Sequence, residues 1–183
     1  NAFATEEGAK GQIFEDMAMT ENVMHREFGI PFIFFQRPEW DKFAGAVHTY
    51  AADSLMPDGR IIQQPSTHFL GQKFSRPFGI RFTDSNGNKQ YVWQTCYGPA
   101  IWRMLASVIA LHGDDKGLVF PFKIAPTQVV IIPVSTDNAV IKKCNELYEK
   151  LKKDFRTEID ISDRTPGWKF NEWELKGVPL RIE

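Results

Sequence analysis

Cysteine is scarce in this chain: Cys96 and Cys144 are the only two among 183 residues. They lie too far apart for the short paired spacings of a structural zinc site or a disulfide framework, so a reducing compartment is expected. Long apolar runs are also missing. The longest, Phe32–Phe35 and Val129–Val134, have strand length and fall well short of the ~20 residues of a membrane-spanning helix. Neither sign of charge dominates, with 22 Lys+Arg against 23 Asp+Glu and a net charge of −1. That balance leaves polyanionic partners open, because a local basic face can bind one while the total stays near zero. The first residue is Asn1, and no basic-then-apolar leader follows it, so no secretory signal is expected. Both ends read as cuts in a longer polypeptide. No repeat or low-complexity tract is present. What remains is ordinary globular composition, 43% hydrophobic and 25% charged, enough for one domain or two small ones.

The pattern along the chain is mixed. Thr5-Glu6-Glu7 has the hydroxyl and carboxylates of a helix start, and Ala9, Ile13, Met17, Met24 and Phe28 recur at helical spacing, which predicts one amphipathic helix over 6–28 ended by Gly29. Phe32–Phe35 reads as a buried strand. Residues 46–56 and 60–63 flank the turn Pro57-Asp-Gly59, and 80–83 and 90–94 flank Asn86-Gly87, so 30–98 is expected to form an antiparallel sheet. A helix over about 100–112, apolar almost all round, should be buried against it. After Pro121 and Pro126 the pattern changes. Val129–Val134, a helix over 137–155 with Val140, Cys144, Leu147, Tyr148, Leu151 and Phe155 on one stripe, and Thr157–Ile161 read as the opening of an α/β unit with parallel strands. A domain boundary is expected near Phe122, giving units 1–121 and 122–183.

Four clusters carry groups able to do chemistry. Gln63-Gln-Pro-Ser-Thr-His68 ends a strand in polar side chains, with His68 either a ligand contact or a structural histidine. In Cys96-Tyr-Gly-Pro-Ala-Ile-Trp-Arg103, a cation falls in the first turn of a helix, where the dipole disfavours it, so Arg103 needs a carboxylate or a ligand phosphate. His112-Gly-Asp-Asp-Lys-Gly117 holds carboxylates that could take a metal or close a solvated loop. Lys142, Lys143, Lys150, Lys152 and Lys153 make a basic helix face, solvated or turned to nucleic acid. His68 and His112 are candidate bases by type for Cys96 as a nucleophile, though nothing local requires their proximity.

The order of these pieces resembles prolyl-tRNA synthetase of the archaeal and eukaryotic-like form across essentially the whole chain. The resemblance is carried by Lys42-Phe-Ala-Gly-Ala46, Leu55-Met-Pro-Asp-Gly-Arg60, Gln63 with Ser66-Thr-His-Phe-Leu-Gly-Gln72, Val92-Trp-Gln-Thr95, His112-Gly-Asp-Asp-Lys-Gly-Leu118 and the long run Pro166–Arg181. It implies a class II antiparallel catalytic sheet with helices, of α+β type and containing motif 3, followed by the start of an α/β anticodon-binding domain.

The activity implied is ATP-dependent formation of prolyl-adenylate and transfer of proline to its tRNA. Arg103 matches the motif 3 arginine that engages the ATP phosphates and is the catalytic residue implied. Gln63 and Ser66 match ATP-contacting positions, while Phe43, His68, Cys96 and Gly98 match positions around proline. Lys142 and Lys143 become candidates for tRNA contact. ATP with Mg²⁺ is implied, no protein metal ligand is assigned, and a zinc module is undetermined. A homodimer in the complete protein and a cytoplasmic, membrane-free setting are implied as well. Ala100 departs from a glycine of some relatives, and Trp102 is bulky for a pocket. Motifs 1 and 2, with the residues that hold the proline amine, and the anticodon-reading end are not in this stretch, so the segment alone is expected to be inactive. Two other readings are a non-catalytic synthetase-like subunit that binds nucleic acid and a class II synthetase for threonine, glycine or histidine.

Overall fold

A computed structural model describes residues 1–183. The chain divides into two compact units, one formed by 1–26 with 30–107 and the other by 27–29 with 108–183.

The first unit is built on a five-stranded sheet in the order β1-β7-β4-β3-β2, all neighbours antiparallel. Its strands are β1 (Ala2–Ala4), β2 (Ile33–Gln36), β3 (His48–Leu55), β4 (Ile61–Gly71) and β7 (Trp93–Gly98). Helix α1 (Glu6–Glu21) packs on one face through Ala9 and Ile13 against Phe69, with Met17, Tyr50 and Trp93 around them. Thr5 caps the helix by accepting the Gly8 N–H at 3.2 Å. The single helix expected over 6–28 is in fact two segments, because a π-helical turn over Asn22–Glu27 follows α1 and carries Met24 into the core. The buried stripe also includes polar members. Asp16 accepts hydrogen bonds from Thr67 Oγ1 at 2.6 Å and Gln12 Nε2 at 3.0 Å, and Thr20 meets the Tyr97 hydroxyl at 2.9 Å.

Three further expectations for this unit are corrected. The strand read as buried near Phe32–Phe35 is the sheet's outer edge, with Ile33 64% and Phe35 48% exposed; its aromatic and β-branched content reports strand propensity, not depth. The hairpin expected over 80–94 is outside the main sheet except at its end, where Trp93 and Gln94 open β7. β5 (Arg81–Thr83) and β6 (Lys89–Tyr91) form their own two-stranded ribbon. Helix α2 (Ile101–His112) is not buried all round: Met104, Ser107 and Val108 point inward, whereas Ile101 and Leu105 are exposed and Trp102 is 82% exposed.

The second unit contains a three-stranded parallel sheet, β10-β8-β9, with β8 (Val129–Ile131) in the middle. Val129 to Ile132 are all essentially inaccessible, as a central parallel strand covered on both faces requires. Helix α3 (Asn138–Leu151), capped by Asp137, connects β8 to β9 (Thr157–Ile159) and is shorter than the 137–155 expected. Its apolar stripe is half-buried, and its lysines are exposed. Helix α4 (Pro166–Leu175) begins at a Thr165 cap and leads into β10 (Leu180–Ile182). Lys169 and Trp173 tie it down by donating to the Asp160 carbonyl at 3.0 Å and carboxylate at 2.8 Å.

Candidate functional site

The strand registers assemble the site. On β4, Thr67 and Phe69 point toward α1, since they contact Asp16, Ala9 and Ile13, so Ser66 and His68 point to the opposite face by the two-residue period of a strand. Across the ladder Ser66 stands opposite Gly98 and His68 opposite Cys96, while on the other side Ala51 pairs with Ser66 and Thr49 with His68. Ser66, His68, Cys96 and Gly98 therefore share one face.

Gln63 would not join them in a regular strand, because it lies an odd number of positions from both Ser66 and His68. A bulge resolves this. Ala51 pairs with Ser66 but Asp53 pairs with Gln63, so Gln64 and Pro65 together oppose Ala52 alone. The extra residue turns Gln64 inward, where its Nε2 donates to Ser107 Oγ at 2.6 Å, and leaves Gln63 on the side of Ser66 and His68.

His68 is half-buried and held at both ring nitrogens, Nδ1 at 2.9 Å from Thr49 Oγ1 and Nε2 at 3.2 Å from Ser66 Oγ. Burial lowers its pKa below the ordinary 6.5, because desolvation penalises the imidazolium. At neutral pH the ring is uncharged. Phe43 stands edge-on to it with ring centroids 5.5 Å apart and is 49% exposed. Its own N–H donates to Thr49 Oγ1 at 3.2 Å, so Thr49 couples the loop to the histidine. The loop is shaped by Gly45: a β-carbon there would lie 2.6 Å from Phe74 Cζ and 2.8 Å from Phe43 Cε1. Lys42 and Lys73 fasten the same loop by donating to the Ala46 carbonyl at 2.7 and 2.9 Å.

Gly98 adopts no left-handed conformation, and a β-carbon on it would meet Ser66 Oγ only at 3.7 Å. The sheet thus has room for a side chain at this position, and its absence leaves bare backbone on the site face. Beyond Gly98 the chain turns through Pro99 and Ala100, the latter at φ 52°, into α2. Arg103 sits in the first turn of α2, exposed, and engages none of the acids that pair with the chain's other arginines.

Thr49 and the part-buried Arg37–Asp53 ion pair, with Asp53 opposite Gln63, were not singled out in the sequence. Only the pairing register reveals them. In the His112–Gly117 loop one carboxylate is engaged locally: Asp114 Oδ1 accepts the Lys116 and Gly117 N–H groups at 2.8 and 3.2 Å. His112 Nε2 lies 2.9 Å from the Phe28 carbonyl oxygen. Lys142 and Lys143 are exposed on α3, in the second unit.

Known proteins show the same arrangement of sequence. Residues 128–183 match the family model described as anticodon binding domain. All of the chain aligns with a proline–tRNA ligase of Thermofilum pendens at 53% identity and with one of Methanocaldococcus jannaschii at 49%. The whole chain resembles proline–tRNA ligases. A third such relative, from Ignicoccus hospitalis, is 48% identical over 97% of the chain. The chain spans about two fifths of the length of these relatives, 39%, 40% and 38% respectively. No helix in it is long and apolar enough to cross a membrane.

Proposed function

We propose that the protein carrying this chain is a proline–tRNA ligase, in which residues 1–121 contribute the motif 3 side of the catalytic domain and 122–183 the beginning of the anticodon-binding domain. The observation that carries this reading is the single sheet face uniting Gln63, Ser66, His68, Cys96 and Gly98 beside Phe43, in a chain similar throughout to such ligases.

In the first step the proline carboxylate attacks the α-phosphate of ATP, forming prolyl-adenylate and releasing pyrophosphate. A ribose hydroxyl at the tRNA terminus then attacks the prolyl carbonyl, and AMP leaves. Substrate carboxylate and adenylate supply the reactive groups, so the protein acts mainly by positioning and by offsetting phosphate charge. Arg103 is suited to the latter. Its guanidinium is a fork of donors with no carboxylate to occupy it, at a helix start where a bound anion relieves an unfavourable dipole interaction. Gln63 and Ser66 contact the nucleotide. Phe43 forms an apolar wall for the pyrrolidine ring, Gly98 and Cys96 admit the substrate to the strand edge, and neutral His68 lines the proline pocket without adding a cation that would repel the amine. Mg²⁺ enters with ATP, and no residue of this chain is assigned to it. Lys142 and Lys143 face the tRNA backbone. The complete protein works as a homodimer in the cytoplasm.

The test is proline-dependent ATP–pyrophosphate exchange by the full-length protein. Arg103→Ala is expected to lower exchange by about 100-fold or more, the usual loss for one preorganised charge-stabilising donor, with tRNA binding retained. Unchanged exchange in that variant would overturn the assignment of Arg103, and no exchange by the folded unaltered protein would overturn the ligase reading.

A further inference from the structure

Residues 72–91, from Gln72 to Tyr91, carry Lys73, Arg76, Arg81 and Lys89 against one acid, Asp84, in a chain whose overall charge is −1. That acid is consumed within its own turn: Oδ1 accepts the Asn86 and Asn88 N–H groups, both at 2.9 Å, and Oδ2 accepts from Gln90 at 2.6 Å. The cations are left without carboxylate partners. They are nonetheless ordered. Both guanidiniums lie against the Tyr91 ring, Arg81 at 4.4 Å and Arg76 at 5.2 Å from its centroid, and Arg81 also donates to the Tyr91 hydroxyl. Gln72 locks the set from below, accepting from Arg76 Nε at 3.0 Å and donating to the Tyr91 carbonyl at 3.0 Å.

Holding two like charges on one ring costs electrostatic energy that no acid in the ribbon offsets. A cleft of about 350 Å³ opens beside them, lined by Gly79, Arg81, Phe82, Thr83 and Lys89. Thr83 and Lys89 are cross-strand partners, and with Arg81 they line the same hollow. At the adjoining bend Phe78 is 75% exposed. Cations interleaved with an exposed aromatic ring are the chemistry of a nucleic-acid surface, one meeting phosphates and the other a base or sugar.

We propose that the β5–β6 ribbon is a second tRNA-binding element of this protein, separate from α3, in which Arg81, Lys89 and Thr83 receive one backbone phosphate and Arg76 a neighbouring one. The proposal rests on the ligase reading for its partner.

The experiment measures tRNA binding by the full-length protein as a function of KCl concentration, together with ATP–pyrophosphate exchange. The exposed double variant Arg76→Ala/Arg81→Ala is expected to weaken tRNA binding about tenfold at low salt and to reduce the slope of log affinity against log salt by about 1 for each phosphate no longer neutralised. Exchange and thermal midpoint stay at the unaltered level. Lys89→Ala, on the other strand, gives a smaller loss in the same direction. Unchanged affinity and slope in both variants, with normal exchange, overturn the proposal and leave the ligase reading standing. A parallel loss of exchange overturns it too, by placing the effect in the catalytic fold. If the unaltered protein shows neither exchange nor tRNA binding, the ligase reading fails and takes this one with it.

Discussion

The imidazole of His68 titrates below its ordinary 6.5 because burial disfavours its charged form. The unfolded chain therefore binds a proton more readily than the folded one. His68 thus contributes stability that is complete above about 6.5 and is lost as pH falls from there toward the lower folded value. In the proposed site the same protonation would set a cation against the proline amine, so KM for proline is expected to stay flat at and above about pH 6.5 and to rise only as acidification reaches the lowered folded value. His68→Gln should flatten that profile, and a steep rise retained in this variant would assign it to another group. Gly98 gives a sharper separation of fold from ligand. Its added methyl meets only ordinary contacts at 3.7 and 3.8 Å, so Gly98→Ala should keep the unaltered thermal midpoint while raising KM for proline several-fold by filling space above the strand. Equal KM values would remove Gly98 from the substrate's surroundings. Residue types at these positions were legible in the sequence. Thr49 was not, because its importance comes from standing across the ladder from His68, a relation between strands that composition does not carry.

Among the elements, α2 shows most clearly where local pattern and structure part. Its apolar content predicted burial all round, yet only one stripe is covered within the chain and Trp102 stands almost free. Hydrophobicity measures what a helix can bury, and which faces meet a partner depends on the tertiary arrangement. Its entry is strained. Ala100 holds φ 52°, a region that costs an L-residue roughly 1–2 kcal/mol, while its carbonyl accepts the N–H groups of Arg103 and Met104 at 2.9 and 3.0 Å to start the helix. Ala100→Gly should therefore raise stability by about 1 kcal/mol, less the entropy glycine adds to the unfolded chain. Chemical denaturation checks the sign, and a destabilised variant would show the strain to be relieved elsewhere. The π-helical turn after α1 was illegible for a related reason: Asn22–Glu27 continues the apolar spacing of a helix, and the change of pitch leaves no mark on that spacing. The two hairpins were read from their turns, Pro57-Asp-Gly59 and Asn86-Gly87, since those residues fix local geometry by themselves.

For the molecule as a whole, the change from antiparallel pairing to a strand–helix–strand unit with parallel strands was legible, because the period of apolar residues changes with it. The pairing of β10 alongside β8 was not, since a strand reached through a helix has no tight turn to declare its neighbour. Nor was the detachment of the β5–β6 ribbon from the main sheet, which depends on the bends over 72–80. The residue types of the proposed site are readable in the sequence and their geometry is not, and the difference traces to one place in β4. Where Gln64 and Pro65 oppose Ala52, the strand is a residue longer than its partner, and that surplus brings side chains three positions apart to the same side. The number of residues in β4 thus matters as much as their identity. Pairing these same residues one to one, with no bulge, would leave every chemical group present and yet send Gln63 to the other face of the sheet, so the site depends on how the strand pairs as well as on what it contains.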